Sequence, residues 1–485
     1  MRNLSTALLA LFVASFAPLW SASSRAAAGD RPNFVFIIAD DVSHDDIGAF
    51  GNPVIKTPNL DQLAAEGLAF DRAYLTTSSC SPTRCSIITG RYPHNTGSPE
   101  LHMPLPKGQY MFPQALREAG YHTVLAGKNH MGNAIREAFD EVTNPAGPGG
   151  ERNWVKHLKQ RPKDKPFFMW FASTDAHRDW EMTEEDPQYD PADVIVPPYL
   201  IDGPITRQDL ANHYHEISRL DRFVGNVRKE LERQGVAENT YVIFSVDNGR
   251  PFPRCKTRLY DSGTKNPFIV WRPGTIEPAR TESLVSAIDI APTVLELAGV
   301  DVDERVQGIS FAPILKDPQA VVRDYAFAEH NWHVAAAHER SVRHGDWLYI
   351  RNNLPNVLNM AAESGPVFPA GKELWDAHEA GETNAAQNNP FLHPAPREEL
   401  YDAKADPEQL KNLLADPSHA ETLVQLRSVL DRWSEETGDS VPAHPTPSVK
   451  LFGARQHLQP EFKRGPMPGE DRGAAEINAP GPVRE

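Results

Sequence analysis

Cysteine is scarce in this chain: Cys80, Cys85 and Cys255 are the only three. An odd, sparse set excludes a fold built on disulfides. If Cys80 has a special role, Cys85 and Cys255 remain as buried thiols, the favoured reading, or as one bridge. Long apolar runs are also missing. Beyond the first residues no segment approaches the ~20 apolar residues of a membrane span. A basic stripe is absent as well. The balance of 49 basic and 65 acidic residues gives a net charge of -16, which argues against a general nucleic-acid binder. It does not exclude a sulfated or phosphorylated ligand, because salt screens the global field within about 8 Å. No internal repeat is visible.

The N-terminus has the pattern of an export signal. Arg2 precedes the apolar stretch "LSTALLALFVASFAPLW", and "AAAG" at 26–29 offers small residues for cleavage near Ala28. Residues 1–28 therefore read as a signal peptide, and the product as periplasmic or secreted. No cysteine follows at the cleavage point to carry a lipid anchor.

Five apolar runs predict buried strands: "NFVFIIA" (33–39), "HTVLAG" (122–127), "PFFMWFAST" (166–174), "TYVIFSV" (240–246) and "PFIVW" (267–271). Continuous apolar character fits a mostly parallel sheet covered on both faces. Helical patterns lie between them. "TPNLDQLAAEG" carries Thr57 as cap, Pro58 at the first helical position and Gly67 as stop. "FPQALREAG" repeats the plan, and a long amphipathic helix covers about 208–233. The fold class is α/β, with residues 29–320 as the main domain. A smaller α+β subdomain with an antiparallel sheet spans 321–440. Its segment 352–396 reads as a long surface loop. The Pro- and Gly-rich tail, 441–485, reads as wandering.

Polar residues collect where the strands end. The first strand runs into Asp40 and Asp41, the second into Lys128, Asn129 and His130. The third runs into Asp175 and His177, the fourth into Asp247 and Asn248. In open α/β sheets, ligands bind beyond the carboxyl ends of the strands. Asp40, Asp41, Asp247 and Asn248 are hard oxygen donors, which suit Ca2+ or Mg2+ rather than a thiophilic metal. Without a cation, each close carboxylate pair repels by about 4 kcal/mol at 4 Å and an effective dielectric of ~20.

Cys80 stands in "SSCSPTRCSIITG", where Pro82 fits the first turn of a helix and Gly90 its end. The start of a helix favours an anion. Arg84, one turn in, offers a planar fork for sulfate or phosphate oxygens.

The run from Cys80 to Gly90 resembles the sulfatase signature, Cys/Ser-x-Pro-x-Arg followed by Thr-Gly. "RPNFVFIIADDVSHDDIGAFG", "GKNHMG" and "SVDNG" resemble three further elements of that family. The likeness covers most of residues 31–435. It implies an alkaline-phosphatase-like fold, and a Cα-formylglycine made from Cys80 by a separate maturation enzyme. It also implies a sulfated saccharide substrate. By the same likeness Asp40, Asp41, Asp247 and Asn248, with the residue at position 80, would hold Ca2+. Arg84, Lys128 and Lys256 would bind the sulfate, and His130 and His177 would move protons. The three carboxylates and three cations sum to zero, and a divalent metal brings the site to +2, which attracts a singly charged sulfate ester or sulfamate.

Within the family, "DNGRPFPRCKTRLYDSGT" (247–264), "YDPADVIVPPYL" (189–200) and "ELYDAKADPEQLKNLLADP" look most like the sulfamidase branch. That branch implies an N-sulfoglucosamine substrate and a homodimer. Two positions depart from it. Lys256 stands where the branch carries arginine, and Asp261-Ser262-Gly263 where it carries Trp-Pro-Gly. O-sulfated polysaccharides, phosphonate monoesters or phosphodiesters, and sulfated-glycan binding without conversion of Cys80 are the alternatives. Glu329, His330, Asn331 and His333 stand as candidate lining of a sugar pocket, and so do Arg178 and Asp179. His94 reads as packing behind the Cys80 helix. Trp332 reads as a sugar platform or as interdomain packing.

Overall fold

A computed structural model describes residues 31–358, 360–449 and 461–484. The signal-peptide reading falls on residues 1–28, outside the described ones. All five predicted strands form, and they sit together in one eight-stranded sheet. Across it the order is Glu141–Thr143, His122–Gly127, Phe167–Ala172, Asn33–Ala39, Thr240–Val246, Phe268–Trp271, Leu68–Phe70 and Ala279–Thr281. Only Phe268–Trp271 runs against its neighbours. Asn33–Ala39 lies at the centre, parallel to both flanking strands. Every residue of it is buried, which explains its unbroken apolar run.

The helices follow from local signals. Pro58 opens the helix Pro58–Glu66 at its first turn. The long helix Pro204–Arg233 begins four residues earlier than its apolar stripe predicts, because Pro204 can occupy a first turn. It buries Leu210, Tyr214, Ile217, Val224 and Leu231. The helix Cys80–Thr89 is buried along its whole length and stops at Gly90, whose φ of 68° is left-handed. Cys80 is its first residue, so Pro82 sits two positions further in than a first-position proline.

A second, antiparallel sheet orders Ala326–His330, Glu339–His344, Trp347–Asn352 and Glu398–Asp402. The helix Ala420–Glu436 covers it through Leu426, Val429, Leu430 and Trp433. Trp433 stacks on Phe327 at 5.1 Å.

Two expectations need correction. The segment 352–396 is not all surface loop: it contains the helix Pro369–Glu379. That helix is tied down by Ala370 N–H to Asp209 and by Glu373, which accepts from Thr206 N–H. Nor does the tail wander over residues 461–484. The buried Arg91 guanidinium donates to Ala475 O, Ile477 O and Asn478 Oδ1, and Arg464 pairs with Glu100 at 2.6 Å. Composition alone misled here, because the backbone carbonyls of the tail satisfy an arginine the core could not otherwise hold.

Candidate active site

Strand ends place the acidic residues. Asp40 and Asp41 follow the central strand, and Asp247 and Asn248 follow its neighbour Thr240–Val246. The parallel register sets Ala39 opposite Val246, so the two pairs meet. Cys80 completes the group at the start of its buried helix. Asp40, Asp41, Cys80 and Asp247 each bring a ligand atom within 4.8 Å of the others. Cys80 Sγ lies 3.7 Å from Asp40 Oδ1 and 3.9 Å from Asp41 Oδ1.

Three cations surround the carboxylates. Arg84 shares the face of Cys80 one turn along its helix. It donates from Nε to Asp247 Oδ2 at 2.8 Å and from Nη1 to Lys128 O at 3.0 Å. Lys128 reaches Asp40. Its backbone is set by Gly127, where a Cβ would lie 1.8 Å from Ala172 O; only glycine allows that approach. Lys256 Nζ lies 2.7 and 2.8 Å from the two oxygens of Asp41.

Burial dominates the electrostatics. It pushes Asp41 up to about 6, with Lys256 opposing and Asp40 adding repulsion. Burial and then Asp40 likewise push Asp247 up to about 6. Burial also works against the charged form of Asp40, but Lys128, His177, Arg84 and Lys256 outweigh it and hold that carboxyl low. The three cations thus outweigh burial at Asp40 but not at Asp41 or Asp247. Asn248 Oδ1, meanwhile, is buried with no hydrogen-bond partner, while its Nδ2 donates to Asp41 Oδ1 at 2.6 Å. A hard oxygen set with an orphaned amide oxygen fits a divalent cation such as Ca2+. Burial drives the Cys80 thiol well above its usual range, and Lys256 and Lys128 only partly offset this. Burial therefore favours the neutral thiol, which is the poor nucleophile of the two forms.

Two histidines face the cluster from neighbouring strand ends. His177 is pushed down to about 3 by burial and by Lys128 and Lys256, and its Nδ1 donates to Arg178 O. His130, held at a positive φ of 56°, is lowered well below the usual histidine range by burial, Lys128 and His102. Its Nε2 lies 2.6 Å from His102 Nδ1, and its own Nδ1 is buried without a partner.

All ten predicted site positions lie in or beside this centre. The secondary candidates divide. His333 belongs to it, with Nδ1 2.7 Å from Ser79 Oγ. Glu329 and Asn331 are taken up in a buried polar network. Glu329 pairs with His94 at 2.8 Å and accepts from Asn331 Nδ2 at 2.9 Å. His330 pairs with Glu339 at 3.0 Å. Arg178 is a structural clamp, bidentate to Asp209 at 2.6 and 2.7 Å and seated over Trp180 and Phe252. Asp179 is exposed. Trp332 packs on Phe462 and donates to Pro447 O at 2.8 Å. Sequence reasoning missed His102, His213 and Glu363. His213 Nε2 donates to Asp41 O at 3.0 Å from the long helix, and Glu363 approaches Lys256 at 3.9 Å. None of them sits in a spaced motif or at a strand end.

The family profile described as Sulfatase matches residues 32–150 and 151–300. This chain belongs to the sulfatase family. A second profile, N-sulphoglucosamine sulphohydrolase, C-terminal, matches residues 255–354. An ulvan-active sulfatase of Formosa agariphila is 31% identical, covering 89% of this chain and 79% of the relative. Human N-sulphoglucosamine sulphohydrolase is also 31% identical, covering 84% of this chain and 91% of the relative. Among solved structures, one in complex with its substrate D-glucosamine-2-N,6-O-disulfate superposes with a TM-score of 0.64 at 19% identity, over 84% of this chain and 98% of the other. A 2-O GAG sulfatase superposes with a TM-score of 0.63 at 20% identity, over 94% and 98%. The family assignment makes the chain a hydrolase of sulfuric esters or sulfamates. Among the described residues, no helix is long and apolar enough to cross a membrane.

Proposed function

We propose that this sulfatase acts on a sulfated saccharide, with an N-sulfated glucosamine as its first substrate class. The observation that carries this reading is the convergence of Asp40, Asp41, Asp247 and Asn248 with Arg84, Lys128 and Lys256 around the first residue of the Cys80 helix. The C-terminal profile match and the human relative support the N-sulfo preference. The ulvan-active relative, at equal identity, supports an O-sulfated polysaccharide as the second reading.

Cys80 would be oxidised by a maturation enzyme to Cα-formylglycine, whose hydrate supplies the attacking hydroxyl, while Ca2+ held by Asp40, Asp41, Asp247 and Asn248 would supply Lewis acidity. Arg84, Lys128 and Lys256 would hold the sulfate oxygens, drawing its single negative charge into a buried pocket where such contacts are strong. His177 would hand a proton to the leaving amine or alcohol. Burial and then Lys128 and Lys256 hold His177 neutral; a bound sulfate would offset the two lysines and so would raise its proton affinity. His130 Nδ1, buried and unpartnered, would take a proton in the return half of the cycle. Asp247 is an alternative base for the attacking hydroxyl. Export and assembly as a homodimer complete the proposal.

The test is a substrate panel with the purified enzyme: N-sulfoglucosamine, O-sulfated sugars, an aryl sulfate and aryl phosphate esters. Mass spectrometry of the residue-80 peptide accompanies it. Conversion of Cys80 with sulfate release from the N-sulfated sugar is expected. Turnover of O-sulfated sugars alone removes the N-sulfo reading, and a clear preference for phosphate esters removes the saccharide-sulfate reading. An unconverted Cys80 in protein from the native host leaves a glycan binder.

A further inference from the structure

The segment joining the last two strands of the small sheet sends one carboxylate into the acidic centre. Glu363 lies in a short 3-10 turn, Ala362–Ser364, and is 6% exposed. Its Oε1 is 3.9 Å from Lys256 Nζ. Its Oε2 is buried with no hydrogen-bond partner. A buried carboxylate oxygen without a donor is costly to hold, and the turn holds it firmly. The helix Pro369–Glu379 packs directly on it: a Cβ at Gly371 would lie 2.5 Å from Glu363 O. That helix is anchored in turn to Asp209 through Ala370 N–H at 3.1 Å.

Lys256 does not require this partner, because both oxygens of Asp41 already face its ammonium. Glu363 instead adds negative charge to a pocket that must accept an anion. For sulfate alone that is a handicap. It becomes an advantage when the sulfate arrives on a group bearing hydrogen-bond donors, since a charge-assisted bond to a carboxylate is among the stronger neutral-donor contacts. A sugar carries such donors beside its sulfated position: the N–H of a sulfamate, or a hydroxyl on the adjoining carbon.

We propose that Glu363 is a specificity-determining residue that accepts a hydrogen bond from a sugar N–H or O–H next to the sulfated position. It selects a sugar sulfate over a sulfate on a donor-free aryl group. This rests on the sulfohydrolase reading above.

The test compares wild type, Glu363→Gln and Glu363→Ala on N-sulfoglucosamine and on 4-nitrophenyl sulfate. On the sugar, kcat/KM is expected to fall by about tenfold or more in both variants, chiefly through KM. On the aryl sulfate it is expected to change by less than about twofold. Equal losses on both substrates, or no loss on the sugar, overturn the inference. Calorimetry with inorganic sulfate gives a readout without turnover. Glu363→Gln is expected to bind sulfate at least as tightly as wild type, because a negative charge has left, and weaker binding overturns the inference. An active wild type with an unchanged substrate ratio removes this inference alone. A wild type inactive on every sulfated sugar removes the underlying reading and this inference with it.

Discussion

Among the buried charge clusters of the described residues, two make an instructive pair: one lies against the small sheet and one at the strand ends of the large sheet. In the first, Arg340 reaches Asp439 with Nε at 2.8 Å and Nη2 at 2.7 Å, and Glu329 is shared by His94 and Asn331. No buried side-chain atom of Arg340, Asp439, Glu329, His94 or Asn331 lacks a partner. In the second, equally buried carboxylates face Arg84, Lys128 and Lys256, yet Asn248 Oδ1, His130 Nδ1 and Glu363 Oε2 are left over. Buried charge by itself marks neither role. A cluster that closes on itself holds elements together. A cluster with unspent donors and acceptors is arranged for something that arrives later.

The sharpest break in the comparison is Cys80→Ala. Turnover of any sulfate ester is expected to fall by roughly 10³-fold or more, while unfolding free energy changes by less than about 2 kcal/mol. Assays of rate and of urea midpoint on the same preparation check both halves. Undiminished turnover would sink the proposed chemistry.

The self-contained cluster should respond the other way. Asp439→Ala leaves Arg340 buried with two of its five hydrogen bonds and its bidentate carboxylate gone, and the expected loss is about 3–5 kcal/mol, read from the denaturant midpoint, with kcat per folded molecule retained. The pH dependence has a definite sign. Burial opposes the charged form of Asp439, but Arg340 and His338 hold its carboxyl well below the usual range. Its contribution is therefore fully present above the unfolded carboxylate value of ~3.9 and is lost as pH falls towards the depressed folded value. Asp439→Ala should flatten that part of the acid limb, and an unchanged limb would count against the pairing.

Calcium tests the open cluster next. If the four oxygen-donor residues hold it, saturating Ca2+ at about 100 times its Kd stabilises the protein by about 2.7 kcal/mol. The gain should vanish in Asp247→Ala and persist in Asp439→Ala. Thermal midpoints with and without a chelator read this directly, and an equal gain in all three proteins would separate the ion from these residues.

Much of this was legible in the sequence because the large sheet is mostly parallel. Parallel strands are buried on both faces, so their apolar runs are unbroken, and their carboxyl ends share one side. Asp40, Lys128, His177 and Asp247 are therefore found by reading the residues just beyond each run. The short strands Leu68–Phe70 and Ala279–Thr281 carry too few residues for a periodic signal. His102, His213 and Glu363 enter the centre from a loop, from the middle of a helix and from a turn. Their approach depends on tertiary packing that no local spacing encodes. Glu329 and Asn331 read as candidate pocket lining from a polar run at a strand end; the structure engages them with His94, distant in sequence, and with Arg340 on the neighbouring strand.

The smallest expected effect is at the surface. Arg427 holds Glu398 at 2.7 Å, with side chains 38% and 26% exposed, and ties the covering helix to the edge strand of the small sheet. Water solvates both groups before and after unfolding, and salt screens their attraction. Arg427→Gln should therefore cost only about 0.2–1 kcal/mol, and less at high ionic strength. The helix stays in place because Leu426, Leu430 and Trp433 are fully buried beneath it. Denaturant midpoints at low and high salt measure the difference. A loss as large as that of Asp439→Ala would mean that geometry rather than burial sets the strength of these pairs, and the contrast between closed buried clusters and ordinary surface pairs would have to be abandoned.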